Sequence, residues 1–165
     1  MTAVNTIKTK APAGAEQRSA AVSVKWLMAG APVGVIGYGG GMALAITDWL
    51  ASEGMPVNGI IDIDEAVSAN RTDTVLRETL SLYEEADSIR VILVSIVLAS
   101  KSVSALAAKL VPVLQARTFP AAKPIILHFQ GYGAAEATAH LEQHGFTNAL
   151  CLRDAVKRIR DTLEM

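Results

Sequence analysis

Residues 33–50, VGVIGYGGGMALAITDWL, constrain the fold more than any other part of the chain. Val33, Val35 and Ile36 belong to a charge-free run of the kind buried on both faces at the centre of a parallel sheet. Gly37, Gly39, Gly40 and Gly41 then turn the chain. From Met42 the apolar residues fall at Ala45, Ile46, Trp49 and Leu50, one stripe of a helix packed back on that strand. A strand, a glycine turn and a helix in this order leave backbone N–H groups unpaired at a helix start, where a phosphate or carboxylate can be held. The same kind of turn also serves simply to let backbone pass close to backbone. The spacing contains fragments of G-x-G-x-x-G. A dinucleotide site would further need an acid ending the next strand about twenty residues on, near where Asp62 and Asp64 stand. Glycines alone do not specify NAD.

The remaining chain repeats the alternation of strand and helix. Residues 22–27 suit a lead-in strand, 33–36 the first central strand and 57–63 the second, with Gly54 ending the helix between them. A helix is expected from about Asn70, with Asp73 in its first turn and Val75, Leu76, Leu80 and Tyr83 inward. Residues 91–98, VILVSIVL, form a third strand interrupted only by Ser95. Ser102 or Ser104 caps the next helix, in which Pro112 removes a backbone donor and should kink or shorten the last turn. Residues 124–129 make a fourth strand, Gly131-Tyr132-Gly133 repeat the glycine turn in miniature, and an Ala-rich helix runs to Gly145. Residues 147–151 are expected as a fifth strand, and Leu152, Ala155, Val156, Ile159 and Leu163 stripe a closing helix. Right-handed crossovers place helices on both faces of such a sheet. The expectation is an α/β, flavodoxin-like three-layer sandwich with a five-stranded parallel sheet in the order 2-1-3-4-5. Its ligand would sit beyond the carboxyl ends of strands one and three, where the order reverses.

That rule names Gly37, Tyr38, Gly39, Gly40 and Gly41, together with Ser100, Lys101 and Ser102, as candidate substrate- or phosphate-binding residues. The serines and the lysine can offer hydroxyls and one cation to a carboxylate, although serines at helix starts also serve as plain caps. Tyr38 and Tyr132 stand inside glycine turns, where they can close a pocket or stack on a ring. Other polar residues form no catalytic set. Asp62 and Asp64 can take Mg2+ or be solvated; His128 ends an apolar strand beside Gln130; Cys151 reads as a small core residue. His140 and His144 stand one helical turn apart, as a metal pair would, but no third ligand is in order and no metal site is expected.

The chain has 165 residues, one domain's worth, and 51% of them are hydrophobic. No apolar run approaches the roughly 18 residues of a membrane span, and a net charge of -1 with mixed signs leaves no footprint for nucleic acid. A single cysteine and no secretory signal make a reducing cytoplasm the default location. Residues 1–21, with Lys8, Lys10 and Arg18 against only Glu16, read as a flexible tail or one docked on a partner, and 22–165 as the folded domain.

The succession VGVIGYGGGMALAITDWLASEG, PVNGIIDID, RVILVSIVLAS, KPIILHFQGYGAAEA and RDAVKRI resembles the carboxy-terminal domain of the succinyl-CoA synthetase β subunit, from about Val22 to the end. In that family the domain is flavodoxin-like and follows an ATP-grasp domain, while the α subunit carries CoA and the phosphorylated histidine. The family turn after strand one reads roughly Asn-Gly-Ala-Gly, with an Asp at the end of the helix. Gly39, Gly41 and Asp48 match it, and Tyr38 replaces the Asn. After strand two the family's Asp-Val and three glycines become Asp62, Ile63, Asp64, Glu65 and Ala66. Its Gly-Gly-Ile-x-Arg-Cys-Asp loop after strand three, which faces the phosphohistidine and helps hold the acid, is here Leu98 to Ser104 without Gly, Arg or Asp. Arg-Leu-Glu-Gly becomes His128, Phe129, Gln130 and Gly131.

The scaffold therefore matches and the active-site loops do not. The resemblance implies a subunit of a split, succinyl-CoA synthetase-like acid–CoA ligase, inactive alone. ATP, Mg2+ and CoA would be bound by a separate ATP-grasp chain and a CoA-binding α-like chain, and no cofactor by this chain by itself. The alternative is a non-catalytic flavodoxin-like binding or scaffold module, self-associating or partnered.

Overall fold

The computed structural model describes residues 24–68, 70–117 and 122–165. The expectation for residues 1–21 lies outside them. In chain order the elements are β1 (Lys25–Trp26), β2 (Val33–Gly37), α1 (Gly40–Ser52), β3 (Val57–Asp62), α2 (Asp64–Ser68), α3 (Thr72–Glu85), β4 (Val91–Leu98), α4 (Val103–Gln115), β5 (Ile125–Gly131), α5 (Ala134–Gln143) and α6 (Leu152–Glu164). The sheet order is β1-β3-β2-β4-β5, with β3, β2, β4 and β5 parallel and β1 antiparallel to β3.

Counted from the glycine strand, the expected order 2-1-3-4 is present as β3-β2-β4-β5. Two edges depart from expectation. Among the described residues of the lead-in strand, of which 22 and 23 lie outside the description, Lys25–Trp26 pair and run antiparallel, Lys25 opposite Ile60 and Trp26 opposite Gly59. The fifth strand at 147–151 is reduced to one parallel bridge, Leu127 to Asn148. The physical reason is a side chain standing in for a peptide group. The Asn148 Oδ1 accepts the Phe129 N–H at 2.8 Å, while its Nδ2 donates to the Phe129 carbonyl at 3.1 Å and to Thr138 Oγ1 at 2.9 Å. With both backbone groups of Phe129 satisfied by one amide, no further ladder is needed to cover that edge. Cys151, expected in the core at the end of this strand, is exposed.

Side chains alternate along the strands and so divide into two cores. Ile36, Ile61, Ile92, Val94, Ile96, Leu127 and Phe129 face α3, α4 and α5. Val33, Val35, Val57, Ile60, Val91 and Leu93 face α1 and α6. On the first face Gly34 and Gly59 are register partners in adjacent strands and together leave a trough. A Cβ on Gly34 would lie 2.7 Å from the Tyr83 ring, and one on Gly59 would lie 3.0 Å from the Trp26 ring. The two rings meet edge to face, 6.3 Å between centroids, and the Tyr83 hydroxyl donates to the Val35 carbonyl at 3.0 Å. Burial pushes that phenol far above the ordinary tyrosine range. Trp49, placed by its spacing on the inward stripe of α1, is only half-buried. Pro112 does not stop α4, which continues to Gln115. At the amino ends of the strands, Glu84 pairs with Arg117 and accepts the Lys123 N–H at 3.0 Å, tying the ends of α3 and α4 to the approach to β5.

Candidate functional site

The chain order reverses between β3 and β4, on either side of β2, so the carboxyl ends of β2 and β4 frame the switch point. The two turns are built differently.

After β2, the Gly39 N–H donates to Asp62 Oδ1 at 2.9 Å, and the same oxygen accepts the Asp64 N–H at 3.0 Å. Asp62 ends β3, one strand over. Its carboxylate therefore lies beside the start of α1, bonded to the cap residue and close to the positive end of the helix. The Gly39 carbonyl accepts from Met42 at 3.0 Å and from Ala43 at 3.1 Å, closing the first turn.

After β4, Ser102 is the cap of α4: its hydroxyl accepts the Ser104 N–H at 3.3 Å and shares a 2.6 Å hydrogen bond with the Ser104 hydroxyl. The Val103 N–H donates to the Tyr132 carbonyl at 2.9 Å, and the Tyr132 N–H to the Leu98 carbonyl at 3.0 Å. The turns after β4 and β5 are thus joined through backbone. That approach depends on Gly131, at φ +114°, where a Cβ would collide with the Leu98 carbonyl. Two of the donors at the start of α4 are consumed within the chain.

Lys101 spans the two turns. Its ammonium donates to the Tyr38 hydroxyl at 3.1 Å and stands 5.9 Å from the centre of the ring. The Tyr38 contact, helped weakly by Asp64, raises the lysine above its usual value. Of the residues named from sequence, Tyr38 and Lys101 are therefore brought into contact, Gly39 is bonded to Asp62, and Ser102 serves its own helix. Ser100 is exposed and makes no side-chain hydrogen bond among the described residues. Gly40 and Gly41 form the exposed first residues of α1, behind the buried Gly37.

One constellation escaped the sequence reading. Ser95 and His128 are register partners on β4 and β5, fully buried, with Ser95 Oγ 2.8 Å from His128 Nδ1 and His128 Nε2 3.0 Å from Gln130 Oε1. Gln130 Oε1 can only accept, so Nε2 carries the proton and Nδ1 receives the Ser95 hydroxyl. Burial draws the imidazole below its usual value, against a weaker opposing effect of Gln130. Cut off from solvent, this pair joins the middles of two neighbouring strands and is not an exposed nucleophile and base. Its signal in the sequence is Ser95 within the apolar run of β4 and His128 within that of β5, which register alone makes a pair. Among the described residues no three His, Cys, Asp or Glu side chains form a metal-binding group.

No protein-family model matches this sequence, and no curated protein matches it either. Solved structures do match. PH0766 from Pyrococcus horikoshii OT3 superposes with a TM-score of 0.63 at 16% identity, over 85% of this chain and 37% of that one. The ATP citrate lyase of Methanothrix soehngenii, in complex with citrate and coenzyme A, gives 0.59 at 14% identity, over 81% of this chain and 39% of that one. The dinucleotide-forming acetyl-coenzyme A synthetase 1 of Ca. Korarchaeum cryptofilum gives 0.55 at 15% identity, over 81% and 35%. The likeness is one of fold. This chain spans well under half the length of each of these proteins.

Proposed function

We propose that this chain is the flavodoxin-like module of a split, succinyl-CoA synthetase-like acid–CoA ligase, acting with separate ATP-grasp and CoA-binding chains. The observation that carries the reading is the match to a part, 35 to 39%, of an acetyl-CoA synthetase and of an ATP citrate lyase that holds citrate and coenzyme A. ATP, Mg2+ and CoA belong to the partner chains in this reading, and the cytoplasm is where they would meet. The geometry agrees with a division of labour: the Asp62 carboxylate stands beside the glycine turn, where it repels a second anion, and α4 spends its first donors on Ser102 and Tyr132. Its contribution is the carboxyl edge itself. There Tyr132, 67% exposed, and Leu150, 87% exposed, offer apolar contact to a partner chain or a second copy. No described helix is long and apolar enough to cross a membrane.

The test is acyl-CoA formation from ATP, Mg2+, CoA and succinate. The purified chain alone gives none, and adding the ATP-grasp and CoA-binding chains restores it; turnover by the chain alone overturns the proposal. A second reading, a binding or scaffold module without ligase chemistry, is favoured by the Asp62 contact. It is the one that stands if the three chains assemble without turnover.

A further inference from the structure

The end of α5 furthest from the candidate site carries two histidines in an arrangement the proposed ligase reading does not use. His140 lies in the last turn of α5 and His144 caps its end four residues on, with ring centroids 4.6 Å apart and planes inclined at 52°. His144 Nδ1 lies 2.8 Å from the His140 carbonyl oxygen. A carbonyl only accepts, so Nδ1 carries the proton and the Nε2 lone pair is left free. A ring N–H given to a backbone carbonyl is the contact that orients metal-ligating histidines and raises their basicity. His144 is exposed and His140 partly so, and neither ring nitrogen of His140 has a hydrogen-bond partner among the described residues.

We propose that His140 and His144 form a two-histidine clip for a borderline divalent transition-metal cation of the Ni2+, Cu2+ and Zn2+ class. Two adjacent imidazoles supply two coordination positions, and water completes the shell, since the described residues bring no third ligand. Imidazole nitrogen excludes Mg2+ and Ca2+, which take oxygen donors. The platform is firm. Leu141, between the two histidines, is fully buried, and the helix end is closed by Gly145 N–H to the Glu142 carbonyl at 3.0 Å and Phe146 N–H to the Leu141 carbonyl at 2.9 Å. The last carbonyls of the helix add a negative field that favours a cation. The His144 ring is therefore oriented, 4.6 Å from that of His140, before any metal arrives, and a second bond to a metal already held by the first costs little further ordering.

Calorimetric titration of the untagged full chain with NiCl2 tests this. One Ni2+ per chain is expected, with no heat from MgCl2 under the same conditions. His140→Gln and His144→Gln each weaken binding by at least about tenfold, because one imidazole no longer shares the ion, and the double variant shows none. Ni2+ raises the melting temperature of the native chain and leaves that of the double variant unchanged. The metal-free melting temperatures of the native chain and the variants report that all are folded. Cys151→Ser binds as the native chain does. Absence of Ni2+ binding, or binding that survives in the double variant, overturns the proposal. Neither histidine lies at the carboxyl edge, so this outcome and that of the ligase assay are independent.

Discussion

The turn after β2 and the turn after β4 stand side by side at the switch point and engage backbone donors by different means: at the cap residue Gly39 of α1, and at the first two helical residues, Val103 and Ser104, of α4. The first is closed by charge: one carboxylate, Asp62, reaches from the neighbouring strand to Gly39 and Asp64. The second is closed by backbone and hydroxyls, Ser102 to Ser104, Val103 to Tyr132, and Tyr132 to Leu98. A helix start is thus not an anion site merely because a glycine turn precedes it. What matters is whether its donors are already taken, and by a side chain or by main chain.

Breaking the second closure has the largest expected effect. Gly131→Val drives a Cβ into the Leu98 carbonyl at a φ that β-branched residues avoid, and should cost roughly 3 kcal/mol or more by urea denaturation. Gly41→Ala is its counterpart after β2, where a Cβ meets nothing within 4 Å. It should leave stability unchanged or raise it by up to about 1 kcal/mol. Equal losses at the two positions would erase the contrast between the turns. Asp62→Ala removes a charged acceptor from two backbone donors and should cost about 1 kcal/mol in the same measurement.

A titration sharpens the comparison below the turns. His128 is held under its usual 6.5 by burial. The unfolded chain therefore binds a proton at a pH where the folded chain does not. The stability this contributes is complete above about pH 6.5 and is lost as pH falls through the folded value. Denaturation midpoints followed from pH 7 downward should decline, and less steeply in His128→Gln. A parallel decline in both proteins would place the acid sensitivity elsewhere. Lys101→Ala, which breaks an exposed contact between the turns, should leave the urea midpoint where it is in the native chain.

The central strands are readable because β2 and β4 are charge-free runs bounded by turn residues, and their order is that of the flavodoxin-like plan. The edges are not. Residues 147–151 have a strand's composition, yet whether an asparagine amide replaces a ladder position depends on which atoms it meets across 19 residues. The stripe of α1 is met at Ile46 and Leu50, which are buried, and missed at Ala45, which is exposed, and in part at Trp49, for a different reason. Met42 and Leu44 are apolar and exposed, so periodicity did not distinguish the inward face on which Trp49 was placed. Conversely, Tyr83 was read as buried from its spacing, but the glycines opposite it are meaningful only once Gly34 and Gly59 are known to be register partners. In the candidate site the glycine turn and Asp62 were each visible. Their contact joins positions 23 residues apart and closes the turn, and only the fold reveals it.

The most direct test of the claim that Asp62 closes the glycine turn is a comparison of phosphate-dependent melting between the native chain and Asp62→Ala. If the internal carboxylate takes the anion's place, added phosphate leaves the native melting temperature where it is and raises that of Asp62→Ala. The native chain responding as strongly as the variant would contradict the account, because the turn would then be open to an anion with Asp62 in position.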